Sequence, residues 1–331
     1  MQFPFASSTA AALLLASRTA SAALYNTSSL NHTCQLTDPV LSCSAAAQPG
    51  LTDTCCTETF GGLVLATQFW DTYTGYETEG QLLPEASWTI HGLWPDFCNG
   101  SYTQYCDLNR QYDPEPSPNT TNGLPNGTYP EEFSTFVPPY NGSDISSFIA
   151  PFGRYDLLAY MNTYWIAQNQ PNWYLWAHEF SKHATCFSTF DLPCYGPRYQ
   201  PHEDVIDYFE TAILFDRRLP TYTWLADAGI TPSNTTTYTL SDIQGALTEA
   251  YGAVPYVGCS GPRFNETAAG NGTSDNGRTR LSETWYYSHV LGRPQEGVAV
   301  VVNATGSTSN CAKAAGAVWY YERTPSSERK I

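Results

Sequence analysis

Short runs of apolar, β-branched and aromatic residues mark the strands that this sequence predicts. The first two run from Leu63 to Trp70 and from Trp88 to Leu93, where Pro95 ends the second. Four further runs lie in the C-terminal third, at Val254–Val257, Glu283–Val290, Val298–Val302 and Ala317–Tyr321. Short strands of this kind indicate a mainly antiparallel sheet.

Between the two groups of strands the apolar positions follow a helical period. A helix is predicted over Arg154–Gln168, until Pro171 interrupts it, from apolar residues at positions 157, 158, 161, 164 and 165. Further helices are predicted over Trp173–Cys186 and Val205–Phe215, and Ser241–Gln244 resembles a capping box that opens a helix reaching Tyr251. We therefore predict an α+β fold in which helices flank a central, mainly antiparallel sheet.

Three segments fall outside this pattern. Residues 1–22 contain an apolar run followed by small residues, which predicts a secretory signal peptide. Residues 113–143, rich in Pro, Asn, Gly, Ser and Thr, predict a surface insertion, and residues 322–331 predict a short tail. Residues 23–331 then form a single domain. No apolar run is long enough to span a bilayer, so we expect a soluble protein that is secreted or held in a vacuole, with no membrane partner.

The cysteine content fits an oxidising compartment. Ten cysteines allow up to five disulfides, whose pairing the composition leaves open, and the absence of a CxxC spacing disfavours the alternative of a metal site. Ten Asn-x-Ser/Thr sequons agree with secretion and are candidate glycosylation sites: Asn26, Asn31, Asn99, Asn119, Asn126, Asn141, Asn234, Asn265, Asn271 and Asn303.

The formal net charge of −16 limits how the chain can bind nucleic acid. A protein that tracks phosphates usually presents a basic stripe, and the sequence has no run of Lys or Arg. Tight, non-specific binding is therefore disfavoured, whereas transient contact between an active site and one or two nucleotides stays open. Acidic solution would soften the repulsion, because carboxylates are neutralised and histidines are charged there.

Two segments hold three of the six histidines together with a Glu and a Lys: His91 within Trp88–Asp96, and His178, Glu179, Lys182 and His183 within Trp176–Cys186. Two imidazoles, a cation and a carboxylate are the groups that metal-free cleavage of a phosphodiester beside a 2′-hydroxyl requires. The alternatives are a structural histidine in the first segment and an ordinary salt bridge on a solvated helix face in the second.

The spacing of the second segment bears on a competing function, a zinc protease. On a continuous helix Glu179, Lys182 and His183 share one face, because residues three and four apart are neighbours. His178 and His183 lie five positions apart, about 140° around the helix. A His-Glu-x-x-His zinc site needs a spacing of four. The sequence therefore argues against a shared metal ion.

Both segments resemble the conserved active-site segments of the ribonuclease T2 family, in its fungal branch. The resemblance rests on His91-Gly-Leu-Trp-Pro and on His178-Glu-x-x-Lys-His-x-x-Cys186, and it extends from Cys34 to Tyr321. It implies a ribonuclease T2-like fold, stapled by disulfides and without a cofactor. The implied disulfides are Cys34–Cys56, Cys43–Cys98, Cys55–Cys194, Cys106–Cys186 and Cys259–Cys311.

The resemblance also implies an activity, the cleavage of single-stranded RNA by metal-independent transesterification through a 2′,3′-cyclic phosphate. His183 would act as general base and His91 as general acid, although the sequence alone does not order them. Lys182 and Glu179 would stabilise charge on the phosphoryl oxygens, and His178 would contact phosphate.

The family positions that surround the substrate bases are occupied here by Trp94, Asp96 and Tyr102 at the first base and by Gln68 at the second. Residues 168–172 would join the second position, where Leu175 replaces an aromatic residue of relatives. We expect low base specificity and a monomeric protein.

Two functions from other classes compete with this interpretation. One is a catalytically idle secreted relative that acts as a binding or defence glycoprotein, and the other is a storage glycoprotein. The intact set of His91, Glu179, Lys182 and His183 argues against both.

Overall fold

The architecture comes from a computed structural model that describes residues 33–116, 136–265 and 275–329. The predicted signal peptide lies outside these ranges, as do five of the sequons: Asn26, Asn31, Asn119, Asn126 and Asn271. Among the other five, Asn265 is half-buried and the rest are exposed: Asn99, Asn141, Asn234 and Asn303. Within the described ranges no helix is both long and apolar enough to cross a bilayer.

The strands of the described residues are β1 (Leu63–Phe69), β2 (Leu83–Pro84), β3 (Thr89–Asp96), β4 (Thr237–Tyr238), β5 (Tyr256–Arg263), β6 (Arg278–Val290), β7 (Ala299–Val302), β8 (Val318–Trp319) and β9 (Glu328–Arg329). In the main sheet β3, β1 and β6 run side by side and antiparallel. Strands β5 and β7 pair antiparallel with β6, β8 joins β6 in parallel, and β4 lies beyond β8. β2 and β9 form a separate parallel pair. The predicted α+β class with a mainly antiparallel sheet is confirmed.

Strand β3 continues through Pro95, so the prediction that this proline ends the strand is wrong. Val64 of β1 pairs with Pro95, and Leu63 pairs with Asp96. A proline is tolerated here because β3 lies at the end of the strand order and has a sheet neighbour on one side only. The longer strand carries Trp94 as well as His91.

The α-helices of the described residues are α1 (Tyr155–Tyr164), α2 (Asn172–Lys182), α3 (Glu203–Asp216), α4 (Thr221–Asp227) and α5 (Leu240–Tyr251). Helix α1 is shorter than its prediction, and α4 has no predicted counterpart. The predicted capping box at Ser241 is wrong, because the extended residue Thr239 is the N-cap and Ser241 already lies in the first turn of α5.

Helix α2 ends at Lys182 and not at Cys186. His183 is the C-cap residue, with φ −111° and ψ −50°, and a 3₁₀ turn then spans Ala184–Cys186. The carbonyl of Lys182 accepts a hydrogen bond from the Tyr105 N–H. His183 is therefore placed by the end of the helix and not by its regular face.

The two faces of the sheet have different surroundings. On one face the helices bury two large apolar clusters, and Trp224 packs against both, which places the clusters on the same side. The opposite face, called the outer face here, carries a smaller cluster that includes Leu65 and Tyr287. Trp94 and Trp285 pack against this outer cluster.

The segment predicted as a surface insertion begins inside the protein. Asp113 is 2% exposed, and the Gln111 side-chain amide donates to the carbonyls of both Asp113 and Pro138. The two ends of the segment are thereby held together. The prediction that residues 113–143 lie at the surface is wrong at this end, and residues 117–135 lie outside the described ranges.

The predicted tail is also part of the fold. Arg323 is buried, and its guanidinium lies 4.0 Å from the centre of the Trp70 ring. It donates hydrogen bonds to the carbonyls of Asp71 and Ser87. Together with the pairing of β9 and β2, these contacts attach residues 322–329 to the segment that connects β1 to β3.

Five disulfides join the described residues, and they are the pairs that the resemblance implies: Cys34–Cys56, Cys43–Cys98, Cys55–Cys194, Cys106–Cys186 and Cys259–Cys311. Cys186 follows His183 by three positions, so its disulfide fixes the turn that carries this histidine.

Burial of carboxyl groups makes the stability of this fold depend on pH. It raises the pKa of five aspartates: to about 7 for Asp71, Asp96, Asp207 and Asp216, and to about 6 for Asp191. When folding raises the pKa of a carboxyl group, protonation of that group favours the folded state. This contribution to stability is complete below the unfolded-state pKa of about 4 and is lost as the pH rises through the folded-state pKa of about 7. Burial also lowers the pKa of three histidines, which makes the fold more stable as the pH rises. They are fewer than the aspartates: His183, His202 and His289.

We expect the thermal midpoint to be several degrees higher at pH 5 than at pH 8. Asp216→Asn, which puts a neutral amide where the pKa of the carboxyl group is raised, should reduce this difference, whereas Asp227→Asn at an exposed position should not. Calorimetry between pH 5 and 8 measures all three proteins. A midpoint that rises with pH would contradict this electrostatic account.

Candidate active site

His91 is held on the outer face of β3 between two carboxylates. Its Nδ1 lies 2.6 Å from Oε1 of Glu283 on β6, and its Nε2 lies 3.4 Å from Oε1 of Glu179 on α2. The Phe69 ring stacks on the imidazole with 3.7 Å between ring centroids. These contacts fix the ring plane, and a protonated His91 would have a negative partner at each nitrogen.

Glu179 is a fully buried carboxylate at the contact between α2 and β3. Its Oε2 accepts a hydrogen bond of 2.8 Å from the Trp94 indole N–H, whereas Oε1 has no hydrogen-bond partner among the described atoms. A Cβ atom at Gly92 would overlap the Glu179 carboxyl group. The glycine that follows His91 is therefore required so that the carboxylate can reach the strand.

His183 is buried beside the same indole. Its ring stacks on Trp94 with 4.9 Å between centroids and 18° between planes. Burial lowers the pKa of His183 well below its usual value, and the neighbouring cationic groups, Lys182 first, act in the same direction. This imidazole is therefore neutral in mildly acidic solution and able to accept a proton.

The two histidines from distant segments meet at Trp94. His91 lies against the edge of the indole, with 4.8 Å between ring centroids, and His183 lies on its face. The separation of the two imidazoles is therefore smaller than the sum of these two distances. Such a separation allows one phosphate group to contact both rings.

His178 lies in a hydrogen-bonded network that begins at the predicted insertion. Its Nδ1 is 2.7 Å from Oδ2 of Asp113, and this oxygen also accepts the Tyr105 hydroxyl at 2.7 Å. Burial alone would raise the pKa of Asp113, but the bonds from His178 and Tyr105 lower it below the usual value. A carboxylate at Asp113 therefore orients His178 with Nε2 free for a ligand.

A cleft of about 270 Å³ opens beside His91 and His178 and is lined by His91, Asp113, Glu115, Gln170, Tyr174, Leu175 and His178. It includes Gln170 from the residues expected near the second base, and Leu175. The half-buried Tyr174 supplies an aromatic ring one position before Leu175. Lys182, the last residue of α2, is half-buried beside His183.

The residues expected at the first base lie at the end of β3. Asp96 forms a β-bridge with Tyr102, whose side chain is 60% exposed, and Trp94 lies two positions before Asp96. Because burial raises the pKa of Asp96 to about 7, its carboxyl group is able to donate as well as accept a hydrogen bond in acidic solution.

Gln68 does not reach this site, so its predicted contact with a base is wrong. It is 3% exposed, its amide nitrogen donates to Asp216 and to the Leu219 carbonyl, and its oxygen accepts from Thr221. Every one of these partners lies on the helix side of the sheet. On β1 it is Phe69, the next residue, that points to the outer face and touches His91.

The sequence argument against a shared metal ion assumed a helix that continues through His183. Because α2 ends at Lys182, the ligand atoms of His178, Glu179 and His183 lie within 4.8 Å of one another. The spacing of the two histidines therefore does not exclude a common ligand. A phosphoryl oxygen and a cation both remain compatible with this arrangement.

Two residues of the site were missed by sequence reasoning, Glu283 and Asp113. Glu283 lies in a predicted strand with no motif around it, and Asp113 lies in a segment whose composition predicts a loop. Glu283 stands between Ser282 and Thr284, and Asp113 between Tyr112 and Pro114, so neither acid has a local sequence signal that marks it. Both acids belong to the site through contacts with histidines that are distant in the sequence, Glu283 with His91 and Asp113 with His178.

Comparison with known proteins agrees with this geometry. The sequence model of the Ribonuclease T2 family matches residues 61–275. A "Ribonuclease T2-like" protein of Emericella nidulans is 38% identical over 278 residues, which is 83% of this chain and 53% of that protein. The chain thus spans about half the length of this relative.

Two further relatives have a length closer to that of this chain. Ribonuclease Trv of Hypocrea rufa is 36% identical over 78% of this chain and 87% of its own length. The crystal structure of Actibind, described as a T2 ribonuclease, is 33% identical, covers 86% of this chain and 96% of its own, and superposes with a TM-score of 0.60.

The disulfide beside His183 provides a test of how the site is held. We expect Cys106→Ala/Cys186→Ala and Cys259→Ala/Cys311→Ala each to lower the free energy of unfolding by about 2–4 kcal/mol. Only the first should also shift the NMR signals of the His183 ring at a temperature where both variants are folded, because it frees the turn after His183. Chemical unfolding and NMR spectra measure the two effects. Equal shifts of these signals in the two variants would contradict this assignment.

Proposed function

The chain belongs to the ribonuclease T2 family, and we propose that it is an endoribonuclease that cleaves single-stranded RNA by metal-independent transesterification. The observation that carries the proposal is the pair of imidazoles at Trp94, of which one is buried and neutral and the other is flanked by carboxylates. General acid–base catalysis needs one group of each kind at the same phosphate.

In the first step His183 takes the proton of the ribose 2′-hydroxyl, and the 2′-oxygen attacks the adjacent phosphorus in line. The P–O5′ bond breaks, and His91 donates a proton to the departing 5′-oxygen. The products are a 2′,3′-cyclic phosphate and a 5′-hydroxyl. The lowered pKa of His183 supports its assignment as base, and the carboxylates of Glu283 and Glu179 beside His91 support the assignment of His91 as acid.

The remaining polar groups stabilise the pentacoordinate phosphorus. Lys182 supplies a positive charge next to the base, and the unpartnered Oε1 of Glu179 is placed to share a proton with a phosphoryl oxygen. His178, oriented by Asp113, would hold a second oxygen. Groups fixed before the reaction lower the barrier most, since they need no reorganisation.

The proposal also covers base specificity, localisation and oligomeric state. Base contacts are few and come from Trp94, Asp96 and Tyr102, so we propose low base specificity, by stacking more than by hydrogen bonding. Five disulfides and the sequons support a secreted or vacuolar monomer.

We expect His183→Ala and His91→Ala each to lower the rate of RNA cleavage by about 10²–10⁴-fold, because each removes one proton transfer. Excess EDTA should leave the wild-type rate unchanged. Mass spectrometry of the products should show 2′,3′-cyclic phosphate ends. Full activity of either variant, or loss of activity in EDTA, would overturn the mechanism, and an inactive wild-type protein would favour the idle relative.

A further inference from the structure

Four positive side chains gather at the N-terminal end of β6, although the whole chain has 15 Lys and Arg against 31 Asp and Glu. They are Arg263, Arg278, Arg280 and Lys313, called the basic end here. In the described ranges none of the four forms an ion pair with an acidic side chain. The nearby Asp275 carboxylate accepts hydrogen bonds from the backbone N–H groups of Gly277, Lys313 and Ala314.

The register of β5 and β6 sets two of these charges directly opposite each other. Arg263 pairs with Arg278, and Arg280 follows two positions later, so all three side chains project from one face. Like charges that face each other across a strand pair are destabilising. An anion bound between them would remove this cost. The arrangement therefore suits a negatively charged ligand better than it suits the isolated fold.

Aromatic rings lie next to the basic end on the same face. Trp319 of β8 pairs with Arg280, and its ring is parallel to that of Tyr321, with 5.1 Å between centroids and 1° between planes. The Arg280 guanidinium lies over the Tyr321 ring at 5.6 Å. Both rings are half-buried, so part of each is open to solvent. Proteins bind single-stranded nucleic acids on surfaces that combine positive charge with exposed aromatic rings.

The basic end and the active site share the outer face of the sheet. Leu281, Val318 and Tyr320 alternate with Arg280, Trp319 and Tyr321 and are buried under the helices. Glu283, which contacts His91, lies three residues after Arg280 on β6, about 10 Å along the strand. Both side chains lie on the outer face because Ser282 between them is an extra residue in the pairing of β6 with β5, where Gly258 pairs with Glu283 and Cys259 with Leu281. This distance is short enough for neighbouring phosphates of one RNA strand to reach both places.

We propose that this part of the outer face is a second binding surface for single-stranded RNA, outside the catalytic cleft. Phosphates contact the basic end and bases stack on Trp319 and Tyr321 while the scissile phosphate lies between His91 and His183. The inference rests on the proposed function for the identity of the ligand. This surface also gives a chain whose net charge is −16 a positively charged region that binds a polyanion.

The test compares Arg280→Ala/Lys313→Ala with the matched control Arg198→Ala/Arg217→Ala, which removes two exposed charges elsewhere. Binding is measured by fluorescence anisotropy with a 2′-O-methylated 20-nucleotide RNA, which lacks the nucleophile. We expect about tenfold weaker binding by the first variant, and a salt dependence whose logarithmic slope is smaller by about 1.4, since two phosphate contacts are lost. The control should bind as the wild type does.

Cleavage of a dinucleotide separates this inference from the proposed function. Both double variants should cleave a dinucleotide at the wild-type rate, because it does not reach the basic end. If the wild type does not cleave the dinucleotide, the proposed function fails, and the binding measurement still decides about the surface. Equal affinity of the two double variants for the 20-nucleotide RNA overturns the inference.

Discussion

The buried Glu179 carboxylate, held between α2 and β3, is the contact on which the rest of the site depends. It touches the Trp94 indole N–H through one oxygen and faces His91 with the other. The carboxylate fits at this position because Gly92 leaves room for it, and the Trp94 indole N–H compensates part of its lost hydration. The same contact sets the position of Trp94, and Trp94 in turn spaces His91 and His183.

Different surroundings give the two histidines different chemical roles. His183 is buried next to cationic groups at the end of α2, so its protonated form is disfavoured. His91 instead lies on the sheet with Glu283 at one nitrogen. One fold thus holds two imidazoles in contrasting surroundings at the same place, which is the arrangement that the proposed general acid–base catalysis requires. The raised pKa values of several buried aspartates favour the folded state in the acidic range where such a pair would work.

The sequence predicted the fold class, most of the long helices and strands, and the residues that meet at Trp94, because these follow from local periodicity and from two contiguous motifs. It missed interactions between residues far apart in the chain. Glu283 reaches His91 across the intervening strand β1, and Asp113 reaches His178 from a segment whose composition resembles that of a loop. Gln68 was placed wrongly, because it was assigned from its position relative to the family; on β1 it alternates with the buried Val64 and Ala66 and therefore lies on the helix side of the sheet.

The central claim is that burial keeps His183 neutral where it must accept a proton. Its ring signals in an NMR titration of the wild-type protein, assigned with His183→Ala, test this claim most directly. We predict that His183 titrates well below the usual histidine range near 6.5. Titration of this ring at or above pH 6.5 would contradict it and would remove the reason for assigning His183 as the base.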